Sequence, residues 1–403
     1  MGAACQLCGV TAPEEVQHQP GFRILSGGRE IPFDIHTVLC TVCGLVSTDP
    51  QPAPGQLARF YAAQERDAFV EGEDEARIPG EGSRLDQARW IEAELGSLAG
   101  LRVLEIGCYD GYLLHRLEAA GARGLGIEPS ARAARLGAER HGVEIRAGGF
   151  EEVELAPGSF DLIVLSHVLE HMGQPRATLE RCRELLAPRG HLFVEVPNLW
   201  KPRIDSAVNF FTFDHLFNFS PETLAALFRS CGFAVGALAD DFEFPAFRMI
   251  GRAAEPCTAE AAPELVARTR CAVGAYVRER AVFVERLRGR VAPELEAWCA
   301  AGSRVAIYGA GYHTECLLDA TDLRRADLVA LVDENPAKQG TKVLGLPVVS
   351  PRELPALAPD VVVISSYDFQ AEMVESLRRV GLGEVPTLTF YSEAIAFSNA
   401  APR

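Results

Sequence analysis

Between residues 101 and 197, four short apolar runs, LRVLEIG, ARGLGIE, FDLIVLS and GHLFVEVP, alternate with helix-spaced stretches. Few folds accommodate that alternation. Strands apolar along both faces must be covered on both, and an intervening helix returns the chain in the same direction, so the pattern predicts a parallel sheet inside an α/β domain. Helical periodicity at GSRLDQARWIEAELGSL leads into it, and GFAVGALADD with FRMIGRAA reads as an antiparallel pair closing one edge. Residues 258 to 299 are rich in Ala, Glu and Arg at helical spacing and read as a connector. A second α/β pattern follows in SRVAIYGAGYHTECLL, LVALVDENP and PDVVVISS. The expected division is a module over 1–60, an α/β domain over 61–256, a helical connector over 257–300 and a second Rossmann-like domain over 301–403.

The module is marked by Cys5-x-x-Cys8 and Cys40-x-x-Cys43. Each short turn can aim two sulfurs at one ion, and two such turns commonly build a four-thiolate tetrahedral zinc site. The 31 residues between the inner cysteines are somewhat more than the usual ribbon interval. Neither pair opens a helix after a strand, which disfavours a redox pair. The eleven cysteines are odd in number and seven are scattered through regular patterns, so reduced thiols plus one metal site fit better than a disulfide framework. There is no run of eighteen apolar residues and MGAACQLCGV lacks a signal pattern, so the cytoplasm is expected and a membrane partner is not. A net charge of -16, mixed along the chain, disfavours nucleic acid and favours a small-molecule substrate.

The densest chemistry lies in Val103-Leu-Glu105-Ile-Gly107-Cys108-Tyr-Asp110-Gly111-Tyr112. An apolar strand enters a glycine turn and then a helix, so backbone can approach a ligand at the carboxyl edge of the sheet. Glu128 closes the next strand 21 residues after Gly107, where a carboxylate can accept both ribose hydroxyls. A dinucleotide site would prefer G-x-G-x-x-G with the pyrophosphate at the helix start. Asp110 at the mouth disfavours phosphate and suits the sulfonium and ammonium groups of S-adenosylmethionine (SAM).

This loop, the acidic strand end, Phe160-Asp-Leu-Ile-Val-Leu-Ser166-His167 and Val168-Leu-Glu-His171-Met172 together resemble class I SAM-dependent methyltransferases over about residues 85 to 255. The resemblance implies that Glu105 orients the loop and the amino group, and that Gly107 and Gly111 admit the methionine part in a turn completed by Cys108, Asp110 and Tyr112. It implies further that Glu128 takes the ribose, that Gly149 and Phe150 lie against adenine, and that Ser166 and His167 line the fourth strand end. With the cysteine module in front and a second α/β domain behind, nearly the whole chain resembles the zinc-containing NDP-sugar C-methyltransferases. CTVCGLV, LEIGCYDG, VLEHM, VPNL, VDENPAKQG and GLPVVSP carry that likeness.

In that family a Tyr-x-Glu-His group follows the fifth strand; here the stretch is Thr212-Phe213-Asp214-His215. His215 matches, Asp214 is a shortened glutamate and Thr212 stands in place of the phenol. Methyl transfer from a sulfonium is an in-line displacement, so the acceptor must be held against the methyl group and lose its proton. His215 is the candidate base, Asp214 the neighbour that could fix its tautomer, and His171 a second candidate. Phe210, Phe211, Phe213, Phe217 and Phe219 read as core or pocket wall.

In the tail, Gly309-Ala-Gly311 follows RVAIY, Thr314 stands where a third glycine would permit close helix packing, and Asp333 ends the next strand. The resemblance implies that this domain helps seat the nucleotide of a sugar substrate, although SSYDFQAEM departs from the family's Trp-Asn segment. Methylation at oxygen or nitrogen, an NAD(P)-dependent oxidoreductase centred on the tail, and a non-catalytic scaffold are the alternatives.

Overall fold

The computed structural model describes residues 4–26, 29–57, 61, 81–241, 245–258, 260–336, 338–366 and 369–390. The chain begins with β1 (Pro13–Ser26), β2 (Arg29–Cys40) and β3 (Val46–Thr48). It continues through α1 (Glu81–Leu95), β4 (Arg102–Ile106), α2 (Tyr112–Ala119), β5 (Arg123–Glu128), α3 (Ala131–His141), β6 (Ile145–Ala147) and β7 (Phe160–Ser166). A 3₁₀ turn, Leu169–His171, precedes α4 (Pro175–Leu185) and β8 (Leu186–Pro197). Then come β9 (Phe217–Asn218), α5 (Pro221–Ser230), β10 (Phe233–Ala239) and β11 (Ala246–Ala253). The long α6 (Pro263–Ala301) leads to β12 (Arg304–Tyr308), α7 (Tyr312–Ala320), β13 (Asp327–Val332), β14 (Lys342–Val343), β15 (Leu346–Val349), β16 (Val361–Ile364), α8 (Gln370–Arg379) and β17 (Thr387–Leu388).

The central sheet has the order β10-β11-β8-β7-β4-β5-β6. Parallel pairing runs from β8 to β6, whereas β11 is antiparallel to both β8 and β10. The edge pair is as the sequence suggests, with the later strand placed inside the earlier one. Strand alternation sorts the core. Leu104, Ile106, Ile163 and Leu165 face α4 and α5, whereas Val103, Leu162 and Val164 face α1 and α2. At roughly 1.5–3 kcal/mol for each such buried side chain, the two layers make the sheet a firm platform for what projects from its ends. The chain leaves β4 toward β5 on one side and takes up β7 on the other, so β4 and β7 flank the switch point of the sheet, at whose carboxyl ends open α/β sheets bind ligands.

The cysteine-rich strands do not stand apart from this domain. Their sheet, β1-β2-β3-β9, is completed by two residues that follow β8, with Val46 opposite Asn218 and Ser47 opposite Phe217. Leu7, Cys40, Cys43 and Leu45 join the same core cluster as the central sheet.

The third sheet, β14-β15-β13-β12-β16-β17, is parallel except for β14. One stripe along α6 serves both neighbours, because its buried residues recur three or four positions apart or at their sum. Val266, Val273 and Tyr276 pack with Leu39, Val46, Leu199 and Phe211, while Leu287, Val291, Leu295 and Trp298 pack with the third sheet. No helix among the described residues is long and apolar enough to cross a membrane.

Candidate active site

The turn after β4 runs through Gly107, Tyr109 and Gly111, all with positive φ, at 66°, 52° and 70°. A Cβ on Gly107 would lie 2.6 Å from Val168 Cγ2, and one on Gly111 would lie 2.7 Å from Val143 Cγ2. Both glycines therefore answer to backbone shape and to packing beneath the turn. Tyr109 holds the left-handed conformation with a side chain, at a cost of about 1–3 kcal/mol. Its N–H donates to Glu128 Oε2 at 2.8 Å, and Ser130 N–H donates to Oε1 at 2.9 Å, so the carboxylate at the end of β5 is held from two sides.

Cys108 is buried with its sulfur against Gly126 of β5. Asp110 accepts from Tyr112 N–H at 3.3 Å and pairs with Arg84 Nη1 at 2.7 Å. The Tyr112 ring meets His141 edge-on, with centroids 5.6 Å apart. Glu105 is buried, and burial pushes its carboxyl up to about 8; Arg84 opposes that rise, while Asp110 and Glu128 add to it. Neither Glu105 Oε2 nor Asp110 Oδ2 has a hydrogen-bond partner. Ser166 Oγ accepts from Gln87 Nε2 at 2.8 Å. Gly149 is half-buried, but the Phe150 ring is turned into the core with the Arg181 guanidinium 4.4 Å from its centroid. Arg84 and Gln87 carry no sequence signature, since α1 contributes them from upstream of the whole glycine turn.

His167 ends β7 with φ at 55° and stands between two buried carboxylates, 3.0 Å from Glu195 Oε1 and 3.4 Å from Glu170 Oε1. Burial pulls its imidazole down, yet the Glu170 and Glu195 carboxylates outweigh burial and raise it to about 10. Glu195 also accepts from Gln87 Nε2 at 2.6 Å and from Arg248 Nε. His167 is thus a cation inside an ionic network.

The 3₁₀ turn that follows brings His171 beside the segment after β8. His171 Nδ1 donates to the Asp214 carbonyl at 2.9 Å and lies 3.5 Å from Asp214 Oδ2, and the His171 and His215 rings are 5.0 Å apart. The Asp214 carboxylate therefore reaches His171; the tautomer it can fix is that of His171. Burial, opposed by Asp214 and aided by His171, lowers the His215 pKa below the ordinary imidazole value. His215 Nδ1 and Thr212 Oγ1 are buried without a partner. Tyr61 sets its ring edge-on to His171 at 6.2 Å. Phe211, Phe213, Phe217 and Phe219 are fully buried and Phe210 packs beside Phe211. The segment is held from the cysteine side, because Thr48 N–H donates to the Leu216 carbonyl at 2.9 Å and Thr48 Oγ1 to the His215 carbonyl at 3.3 Å.

The two cysteine turns are built alike. Cys5 N–H donates to Val10 O and Gly9 N–H to Cys5 O; Cys40 N–H donates to Leu45 O and Gly44 N–H to Cys40 O. Gly9 and Gly44 have φ of 75° and 81°. Cys5 and Cys43 sulfurs are 3.5 Å apart, Cys8 and Cys40 sulfurs 3.6 Å, and one atom from each of the four falls within 4.8 Å of the others. Sulfurs 2.3 Å from a tetrahedral zinc are about 3.8 Å apart, so the set fits that ion.

In the third sheet, Asp333 Oδ2 accepts from Ala310 N–H at 3.0 Å, and Lys338 Nζ lies 3.4 Å from the same oxygen. A Cβ on Gly309 would meet the Ser365 carbonyl oxygen at 2.7 Å. In the SSYDFQAEM segment, Tyr367 and Asp368 lie outside the described residues.

Residues 63–238 match the family described as a methyltransferase domain, and residues 272–384 match the C-methyltransferase C-terminal domain. The C-methyltransferase NovU of Streptomyces niveus is 27% identical over 372 residues, 87% of this chain and 84% of that protein. A ubiquinone biosynthesis O-methyltransferase of Bordetella bronchiseptica is 36% identical over 115 residues, 27% of this chain and 48% of that one. The chain thus matches about half the length of that O-methyltransferase. A solved 1,6-didemethyltoxoflavin-N1-methyltransferase of Burkholderia thailandensis aligns with 61% of this chain and 100% of its own at 20% identity, with a TM-score of 0.39.

Proposed function

Because the chain carries a class I SAM-dependent methyltransferase domain followed by a C-methyltransferase C-terminal domain, we propose that it methylates a carbon beside the carbonyl of a nucleotide-activated keto-sugar. The observation that carries this reading is that buried polar atoms without hydrogen-bond partners include Glu105 Oε2 and Asp110 Oδ2 at the end of β4 and Thr212 Oγ1 and His215 Nδ1 in the segment after β8. Buried polar groups are rarely left unsatisfied, and a bound donor and acceptor would supply the partners.

SAM supplies an electrophilic methyl group. Glu105 holds its ammonium, Arg84 its carboxylate and Glu128 its ribose hydroxyls, with Gly149 along the adenine; the Cys108, Tyr112 and Phe150 contributions are backbone and packing. Ser166 and the His167 cation fix the end of β7. His215 arrives neutral and takes the proton next to the carbonyl, and the electron pair left on carbon would form the new bond to the methyl group as the methyl–sulfur bond breaks with its pair going to sulfur, so that S-adenosylhomocysteine leaves. The Thr212 hydroxyl donates to the oxygen where charge develops. Asp214 positions His171, which shapes the acceptor side. Cys5, Cys8, Cys40 and Cys43 hold zinc, and four protein ligands leave it a structural role.

The reading divides the chain into a zinc module over 1–60, the methyltransferase domain over 61–256, a connector over 257–300 and a substrate-seating domain over 301–403. Eleven cysteines, none of them in a disulfide, fit work in the reduced cytoplasm.

The test is to incubate the protein with [methyl-¹³C]SAM and a nucleoside-diphosphate 4-keto-6-deoxy-sugar, then locate the label by NMR. The reading requires the labelled methyl bonded to carbon; label on oxygen or nitrogen would move the chain to another methyltransferase class.

A further inference from the structure

Away from both cysteine turns, β1 and β2 bring together a second cluster of metal-binding side chains. His18 pairs directly opposite His36 in the antiparallel ladder, and Asp34, two residues before His36, lies on the same face. The two imidazoles stack with centroids 4.4 Å apart and planes 8° from parallel. His18 Nε2 is 3.6 Å from Asp34 Oδ2, while Asp34 Oδ1 accepts from Gly21 N–H at 2.8 Å, which turns the other oxygen toward the imidazole. His36 Nδ1 lies 2.7 Å from Glu15 Oε2.

One ligand atom each from His18, Asp34 and His36 lies within 4.8 Å of the other two. Two ligands about 2.1 Å from one ion can be at most about 4.2 Å apart, and an ion lies in the plane of each imidazole it binds, so the two rings must turn out of their stack to close the set. The Glu15 carboxylate holds a proton on His36 Nδ1 and leaves the Nε2 lone pair outward, the arrangement by which second-shell carboxylates orient metal-bound histidines. Cross-strand pairing gives the two rings a common origin on one face, and their exposure leaves them room to turn.

We propose that His18, Asp34 and His36 form a second metal site on the outer face of the β1–β2 hairpin, oriented by Glu15 and distinct from the four-thiolate site. Two imidazoles and one carboxylate suit a first-row divalent ion of the zinc, nickel or cobalt class and disfavour magnesium or calcium. All three side chains reach solvent, so water completes the coordination. The ion ties β1 to β2 at a fixed register beyond the reach of the cysteine turns.

The experiment adds Zn²⁺ to the full-length protein, already zinc-loaded at its cysteines, and follows binding by titration calorimetry at neutral pH. Wild type is expected to take up one further equivalent. His18→Ala and His36→Ala are expected to lose it while keeping the thiolate-bound zinc, and Glu15→Gln to weaken it about 10- to 100-fold. Unchanged SAM binding in each variant checks that the chain is folded. A further equivalent that survives both histidine substitutions overturns the proposal and moves the ion to Glu170, His171 and His215, which also bring ligand atoms within 4.8 Å of one another. No further equivalent in wild type overturns it outright.

Discussion

Burial lowers the His215 pKa below the ordinary imidazole value, and the base role proposed for it requires a histidine that arrives without its proton. Turnover should therefore fall with acid through a midpoint below the ordinary imidazole value near 6.5, a limb readable in a kcat/KM profile. His215→Asn should lower kcat about 10²- to 10⁴-fold while leaving SAM affinity unchanged, because the residues proposed to hold the donor are those of the turn after β4 and the end of β5. His167 behaves oppositely. Its folded-state pKa is raised to about 10, so its contribution to stability is complete below pH 6.5 and is lost as pH climbs through 10. Between pH 7 and a pH above 10 the urea midpoint should fall further in wild type than in His167→Gln. Arg84→Ala should weaken SAM binding about tenfold or more by removing a charged partner, as a titration would show. Arg84 illustrates what the sequence hides. Helical spacing in α1 predicts a helix, but nothing local says that this arginine will meet Asp110 at 2.7 Å.

At the scale of elements, the strand–turn–helix units around β4, β5, β7 and β8 are legible because each strand is apolar on both faces and long enough to show it. β9 is not, because two residues set no period and their partner strand lies some 170 positions earlier. Yet β9 is the link that joins the cysteine module to the segment carrying Asp214 and His215. Adjacency in sequence likewise suggests Asp214 beside His215, whereas the backbone turn aims its carboxylate at His171. If zinc organises the module, stripping it should loosen β3 and then β9. Hydrogen exchange at Phe217 and Asn218 should speed up and turnover should fall, with SAM affinity little changed. Unaltered exchange at those two amides would mean that the segment holds its shape without the module.

For the whole molecule, the segments after β8 join three sheets: β9 completes the cysteine sheet, and residues 204–207 meet α6 and the third sheet. Arg280 of that helix donates to the Ser206 and Ala207 carbonyls, and Ala207 packs in the third sheet's core. The order of domains is legible from motifs; their joining is not, since it depends on carbonyls and short strands that leave no pattern. Everything rests on the crevice after β4 accepting a charged sulfonium nucleoside. Calorimetric titration of SAM into wild type and Glu128→Ala tests that directly. Saturable one-to-one binding in wild type, at least about tenfold weaker once the carboxylate that would grip two ribose hydroxyls is gone, is the predicted result. No SAM binding by wild type, or binding of NADH in its place, would contradict it.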